Sequence, residues 1–351
     1  MALVIGTRDG VFRLATAESA TNAMAGDAVL EDAEAVLDGY NTLRVRTLAD
    51  HGTFAATIGG LFRSTDDGRT WTRLDVPREE VFSIVASPNG ERLYAGTHPA
   101  HLYVSTDRGE TWKDLEGFQD LPSREEWYTP RHRNEAHIRS LGVHPDEPDR
   151  VVAGVEVGGV HVSENGGETW TERRDGLHDD VHHVLVRDSE AYVASCGGGL
   201  YSTADAGRSW IRLDTEVDHR YFREAFCHGG RLYAAAARGS PGTWRGESGA
   251  DAAIFESKNG GETLESVPYP GSPEEFVLAW TELDGRVLAG TNGGRLLVRR
   301  DEGSEDNGDG DDGGDSNSDA DDSDESAWET IGEVPAAIRS LAGTAASDRP
   351  T

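Results

Sequence analysis

The sequence has almost no lysine. Lys113 and Lys258 are the only lysines among 33 basic residues, while 64 residues are acidic, so the formal net charge is −31. A surface of this sign repels nucleic acid and anionic membranes, whose binding requires basic side chains. We therefore expect neither nucleic acid nor a membrane among the partners.

Cysteines and long apolar runs are also scarce. Cys196 and Cys227 cannot build a disulfide framework, and they are expected to be small buried hydrophobic residues. No segment approaches the run of about 18 apolar residues that a membrane helix needs. The start at Met1 lacks a basic region and a cleavage-like site, so we expect no signal peptide and a cytoplasmic location.

The acidic excess itself predicts an environment. Self-repulsion at this charge destabilises a compact chain unless salt screens it, and at 1 M salt the Debye length is only about 3 Å. The composition resembles that of cytosolic proteins from halophilic archaea that accumulate salt. We therefore interpret the charge as adaptation to the solvent and not as a ligand site.

One octapeptide, of the form Ser-x-Asp-x-Gly-x-Thr-Trp, recurs five times. The copies span residues 64–71, 105–112, 163–170, 203–210 and 257–264. Asn replaces Asp in the third and fifth copies, and Leu264 replaces Trp in the fifth. A basal spacing of about 40 residues, lengthened in places by loops, is typical of a four-stranded propeller blade.

Short β-rich runs precede each copy and indicate a strand–turn–strand–octapeptide–strand meander. Residues 286–298 and Trp328 form a degenerate blade, and residues 3–13 form a strand pair without an inner strand. Residues 337–342 supply that inner strand, and residues 33–39 supply the outer one. We predict one all-β domain over residues 1–351, a seven-bladed propeller of four-stranded antiparallel blades closed by pairing of its two termini, with a disordered acidic insertion at 301–326.

The octapeptides are expected to be structural. Ser and Asp side chains can accept hydrogen bonds from backbone amides within a turn, and Gly accommodates positive φ. Trp supplies a large apolar face for packing. We therefore place no catalytic role on these repeated residues, although they are the most conspicuous in the sequence.

A ligand site is expected where the innermost strands surround the central channel. Aligning those strands by their repeat places seven residues at equivalent positions, namely Arg339, Arg46, Phe82, Arg139, His182, Arg223 and Leu278. Arginine presents a planar fork that suits carboxylate or phosphate, which predicts an anion-binding channel mouth. The alternative is that each arginine pairs with a carboxylate such as Glu156, Asp180 or Glu224.

Other polar residues fall near the same face by repeat position. His137, Glu156, Asp180 and Tyr221 complete the predicted ligand-binding set. His178, His182 and His183 do not have the spacing of a recognised zinc site, so we expect no metal and no cofactor.

The octapeptides are similar to the Asp-box (BNR) motif. The superfamily that carries it includes sialidases, other glycoside hydrolases, sortilin-type receptors and photosystem II assembly-factor propellers. The resemblance implies the fold over nearly the whole chain. If it extended to sialidase chemistry, Arg46, Arg139 and Arg339 would be the arginine triad, with Tyr221 and Glu224 as the nucleophile pair.

Two functions remain open from the sequence. The first is a non-enzymatic, monomeric scaffold that binds an anionic small molecule or a protein segment at the channel mouth. The second is a glycoside hydrolase that uses Glu156, Asp180 or Glu224. Carboxylates held by arginines would favour the scaffold, whereas two free carboxyl groups across an open pocket would favour the hydrolase.

Overall fold

The computed structural model describes residues 1–15, 33–244, 249–272, 274–300 and 326–344. Within them the chain forms seven four-stranded antiparallel sheets, which confirms the predicted propeller. Residues 301–325 of the insertion predicted at 301–326 lie outside the described residues. None of the described helices, all of them three-residue 3-10 turns, is long and apolar enough to span a membrane.

The blades are numbered here from the N-terminus, and the strands of each are given from the channel outward. Blade one contains Ile338–Gly343, Ala2–Thr7, Gly10–Ala15 and Glu34–Asp38. Blade two contains Thr42–Leu48, Gly52–Thr57, Gly60–Ser64 and Thr72–Leu74. Blade three contains Val81–Ala86, Leu93–Thr97, Leu102–Ser105 and Lys113–Asp114. Blade four contains His137–His144, Glu147–Glu156, Gly159–Ser163 and Thr171–Glu172.

The remaining blades follow the same order. Blade five contains Val181–Val186, Tyr192–Cys196, Gly199–Thr203 and Ile211–Arg212. Blade six contains Tyr221–His228, Arg231–Ala237, Ala253–Ser257 and Glu265–Val267. Blade seven contains Val277–Leu283, Arg286–Thr291, Arg295–Arg299 and Trp328–Glu333. The 3-10 turns are Glu116–Phe118, Arg124–Glu126, Pro130–His132 and Pro241–Thr243.

Blade one joins the two ends of the chain, as the sequence predicts. Ile5 of the N-terminal strand pairs with Leu341 of the C-terminal strand. The backbone N–H of Ala2 donates a hydrogen bond to Thr344 Oγ1 at 2.7 Å. The first strands of neighbouring blades contact each other all the way round the ring. The closed ring therefore leaves no inner strand without a neighbour.

Each octapeptide closes the turn between the third and fourth strands of its blade. In blade two, Ser64 Oγ accepts from the N–H of Gly68 at 2.9 Å. Asp66 accepts from the N–H of Thr70 at 2.8 Å and from its hydroxyl at 2.7 Å. Trp71 Nε1 donates to the carbonyl of Gly68. These side chains satisfy backbone groups within the turn, so the octapeptides have the structural role expected of them.

The inner strands share a feature that positions the site. In every blade the pairing with the second strand is interrupted by a β-bulge near the start of the inner strand. A bulge leaves one residue without a ladder partner and redirects its side chain. The bulged residues are Arg339, Leu43, Phe82, Arg139, His182, Arg223 (with Glu224) and Leu278.

Candidate functional site

The seven bulged residues surround one cavity at the mouth of the central channel. Arg44 and Glu224 complete its lining, and it holds about 470 Å³ of empty space with its open mouth included. Three bulged residues are arginines and one is His182, whereas Leu43, Phe82 and Leu278 are apolar. One residue from each blade therefore contributes to a single concave surface, as expected for a propeller ligand site.

The structure corrects one predicted position. Arg46 does not occupy the position equivalent to Arg139 and Arg339, because the bulge of blade two lies at Leu43. Arg46 lies farther along the channel, where it lines a small space with Arg44 and His183. Burial, followed by the positive charge of Arg44, lowers the pKa of Arg46 to about 10.

Arg139 is held by a carboxylate of its own blade. Its guanidinium forms an ion pair with Glu156, and His137 Nε2 lies 3.1 Å from the same oxygen, Oε2. Although burial opposes ionisation, the charge of Arg139 and the hydrogen bond from His137 hold the pKa of Glu156 well below its usual range. For this arginine the alternative of an internal ion pair is correct.

A second ion pair crosses the channel. Arg44 Nη1 of blade two lies 2.7 Å from Glu224 Oε1 of blade six, and both side chains are nearly buried. Burial would raise the pKa of Glu224, but the charge of Arg44 and then that of His183 lower it. His183 itself is buried, which lowers its pKa to about 4. The two residues line the mouth, and the charge of each compensates that of the other.

Arg223 and Arg339 differ from the other two arginines of the mouth. Among the described residues, neither lies within ion-pair distance of a carboxylate; Arg223 Nη1 donates only to Tyr221 Oη, at 3.3 Å. Burial, followed by the charges of Arg223 and Arg139, lowers the pKa of Arg339 to about 10. The mouth therefore carries two positive charges without an ion pair to any carboxylate in the described part of the chain.

His182, Tyr221 and Asp180 lie together at the junction of blades five and six. His182 Nδ1 is 2.5 Å from the carbonyl oxygen of Phe222, and its ring packs edge-on against Tyr221 with the centroids 4.7 Å apart. Asp180 lies next to Glu156 through a backbone bridge between blades four and five. Four of the predicted site residues therefore line the cavity, and four more contact them or one another, namely His137, Glu156, Asp180 and Tyr221.

Sequence reasoning missed residues that reach the site from elsewhere. Arg44 follows a bulge that strand alignment could not locate. His132 belongs to the long segment before blade four, and its Nε2 lies 3.9 Å from Glu156 Oε1. Thr129 of the same segment donates to the carbonyl of Glu156 at 3.0 Å. No local sequence pattern marks either contact.

The carboxyl groups of the mouth are poor proton donors. The pKa values of Glu156, Glu224 and Asp180 are all lowered, since neighbouring cationic or histidine side chains outweigh the effect of burial. Glycoside hydrolysis requires one carboxylic acid with a raised pKa. By the criterion set from the sequence, the ion pairs of Glu156 and Glu224 favour a scaffold.

Comparison with known proteins finds two groups of similar proteins, although no protein-family model matches the chain. The photosystem II assembly lipoprotein Ycf48 of Synechococcus sp. (strain CC9902) is 25% identical over 260 residues, which cover 72% of this chain and 70% of that protein. A solved structure described as YCF48 bound to D1 peptide superposes with a TM-score of 0.54 at 16% identity, covering 75% of this chain and 80% of that one.

The second group consists of GH74 enzymes. The GH74 xyloglucanase structure from Xanthomonas campestris superposes with a TM-score of 0.60 at 16% identity, and the match covers 85% of this chain. This chain covers half of that structure and less than half of two other GH74 structures. At these identities the superpositions show the fold alone. The chain is therefore a seven-bladed propeller similar both to Ycf48 and to GH74 xyloglucanases.

Proposed function

We propose that this protein is a non-enzymatic binding propeller that holds a carboxylate-bearing protein segment in its arginine-lined mouth. The observation that carries the proposal is the pair Arg223 and Arg339, which face the mouth without a carboxylate partner. Two such cations in one concavity offer an anion a site in a chain whose net charge is −31.

Electrostatics explains why an anion fits there. Two like unit charges about 4 Å apart repel by about 4 kcal/mol at the effective dielectric of a protein surface. The lowered pKa of Arg339 reflects such repulsion from Arg223 and Arg139, in addition to burial. A carboxylate that accepts hydrogen bonds from both unpaired guanidinium groups would remove this cost and gain charge-assisted hydrogen bonds.

A protein segment fits the cavity better than a free small anion. Leu43, Phe82 and Leu278 alternate with the charged residues around the mouth and offer apolar contacts for neighbouring side chains. The Ycf48 structure bound to a D1 peptide supports this choice, because that protein has the same fold. A free small carboxylate would meet the arginines but not the apolar contacts, so we expect it to bind at the same arginines and more weakly than an acidic peptide.

The similarity to xyloglucanases favours a second candidate, a glycoside hydrolase. Its carboxylates would be Glu156, Glu224 and Asp180, of which the first two are already in ion pairs with arginines. The GH74 structures are also at least twice the length of the portion that this chain matches. Release of reducing ends from xyloglucan oligosaccharides by the purified protein would support this candidate and overturn the first.

Three further assignments belong to the proposal. We assign the octapeptides to the Asp-box motif, and the Ser and Asp side chains that close the turn between the third and fourth strands support this assignment. The acidic surface fits a cytoplasm of molar salt in a halophilic archaeon. The closed ring is complete within one chain, which fits a monomer.

Affinity selection from a library of random peptides, in molar KCl, tests the proposal. We expect the wild-type protein to enrich acidic peptides, and the double variant Arg223→Gln/Arg339→Gln to lose that enrichment. The matched control is the double variant Arg69→Gln/Arg208→Gln, which removes the same charge from exposed octapeptide turns and should select the same peptides as the wild type. Selection of the same peptides by all three proteins would overturn the proposal.

A further inference from the structure

The junction of blades four and five brings three potential metal ligands together. Glu156 ends the second strand of blade four, Asp180 immediately precedes the inner strand of blade five, and His182 is the bulged residue of that strand. One carboxylate oxygen of each acid and one ring nitrogen of His182 all lie within 4.8 Å of one another. This arrangement depends on the blade-to-blade contact, so spacing in the sequence does not reveal it.

The hydrogen bonding of His182 fixes which nitrogen is available. Its Nδ1 lies 2.5 Å from the carbonyl oxygen of Phe222, and because a carbonyl only accepts, Nδ1 carries the proton. In the neutral ring the lone pair is therefore on Nε2, which lies 3.4 Å from Asp180 Oδ1. A histidine that donates one ring N–H to a backbone carbonyl is oriented as metal-binding histidines are.

Asp180 supplies an independent observation. Its Oδ1 is shielded from solvent, has no hydrogen-bond partner among the described residues and lies 3.4 Å from Nε2 of His182. Its carboxylate packs against Gly197, where an added Cβ would lie 2.1 Å from Oδ2. A buried acceptor without a donor is costly unless a cation compensates it.

Glu156 contributes through its second oxygen. Arg139 and His137 both bind Oε2, which leaves Oε1 with only His132 Nε2 at 3.9 Å. Glu156 and Asp180 together carry two negative charges against the one of Arg139. The two carboxylates, which outnumber the guanidinium group bound to Glu156, offer oxygen donors of negative charge to a dication.

We infer that Glu156, Asp180 and His182 form a binding site for a first-row divalent metal ion, with Zn²⁺ as the ion of choice. One imidazole nitrogen and two carboxylate oxygens are suitable donors for zinc, and three protein ligands leave a coordination position open. His182 also lines the mouth. The inference does not depend on the proposed function, since it rests on a different set of residues from Arg223 and Arg339.

Calorimetric titration of the EDTA-treated protein with Zn²⁺ tests the inference. Molar KCl and excess Mg²⁺ suppress loose binding to the acidic surface. We expect one saturable site in the wild type, weakened at least tenfold in Asp180→Asn, which keeps the size of the side chain. Asp179→Asn is the matched control, because Asp179 is the exposed neighbour in sequence and should leave the zinc affinity unchanged.

A second variant and a second measurement protect the test against misfolding. Gly197→Ala alters no ligand but displaces the Asp180 carboxylate, so it should also weaken Zn²⁺ binding at least tenfold while the apo protein still melts cooperatively. In crystals soaked with Zn²⁺, an anomalous peak is expected about 2.0–2.2 Å from His182 Nε2 and from one oxygen of each acid. Equal affinity in the wild type and Asp180→Asn, or no peak at this junction, would overturn the inference; the second result would indicate that a proton links His182 and Asp180.

Discussion

Arg44 and Glu224, which are 180 residues apart in the sequence, form an ion pair across the central channel with Nη1 and Oε1 separated by 2.7 Å. The pair connects blade two with blade six, which are not neighbours in the ring. It removes one arginine and one carboxylate from the groups available to a ligand. Among the mouth arginines, it therefore distinguishes Arg44 from Arg223 and Arg339.

Removing Glu224 should destabilise the protein strongly. Glu224→Gln leaves Arg44 nearly buried and uncompensated, for which we expect a loss of about 3–5 kcal/mol in the free energy of unfolding. The double variant Arg44→Met/Glu224→Met should lose clearly less stability than the sum of the losses in Arg44→Met and Glu224→Met. Denaturant unfolding in molar KCl measures both.

The control is Glu79→Gln, which breaks the exposed pair of Glu79 with Arg73 and should change stability by no more than about 0.5 kcal/mol. If Glu224→Gln behaved like this surface variant, the channel pair would contribute nothing to the fold.

The octapeptide aspartates should make the fold sensitive to acid. Despite slight burial, hydrogen bonds from Thr70 lower the pKa of Asp66 from 3.8 to about 2, and bonds from Ser209 do the same for Asp205. A folded-state pKa below the unfolded one adds stability that is fully present above about pH 4 and is lost as the pH falls through 2. Hydrogen bonds from Thr111 lower the pKa of Asp107 to about 2 in the same way.

The chain itself supplies the test substitution, because Asn165 and Asn259 occupy the aspartate position in two octapeptides and accept the same backbone hydrogen bond. We expect the triple variant Asp66→Asn/Asp107→Asn/Asp205→Asn to fold and to be less stable than the wild type at pH 7. Unfolding in molar KCl between about pH 5 and pH 2.5 should show the difference shrinking as the pH falls. A difference that stays constant with pH would refute the role assigned to these carboxylates.

Arg339 should reduce stability while it serves binding. Its pKa of about 10 means that burial and the nearby charges of Arg223 and Arg139 disfavour the charged form in the folded state. Leu278 and Leu43 occupy the same bulge position, so Arg339→Leu should be accommodated. We expect this variant to gain about 0.5–2 kcal/mol of stability, as at other sites where function opposes stability. Loss of stability instead would indicate that Arg339 makes a structural contact.

The C-terminal strand should be indispensable. Ile338 is fully buried and Leu341 nearly so, and the strand supplies the inner edge of blade one. A chain that ends at residue 336 should expose the N-terminal strand and fail to melt cooperatively. A chain that ends at 344 keeps every described residue and is the matched control. Cooperative melting of the shorter chain would show that six blades can close without it.

The fold could be predicted from the sequence because each blade is a local repeat. The octapeptides reveal the turns, and the identical sequences of residues 138–141 and 338–341 reveal the strand that completes blade one. These signals arise from turn geometry and strand alternation, which depend on neighbouring residues only.

The site was predictable only in part, because bulges shift the register of the inner strands. Arg46 was aligned wrongly for this reason. In each blade a buried residue lies two places after the bulged residue, such as Ile84 or Leu141. The equivalent buried residue of blade two is Val45, which places the bulge at Leu43. The pairing of Arg44 with Glu224 had no signal, since contacts between blades join residues distant in the sequence, whereas the pair of Arg139 and Glu156 lies within one blade and was among the alternatives.

The measurement that tests the central claim most directly is calorimetric titration of the protein with glutarate and, separately, with its uncharged diamide in buffered KCl. The account predicts that glutarate binds the wild type, that the diamide does not, and that Arg223→Gln/Arg339→Gln abolishes the binding of glutarate while the protein remains folded. Binding of glutarate with equal affinity to the wild type and to this double variant would contradict the account.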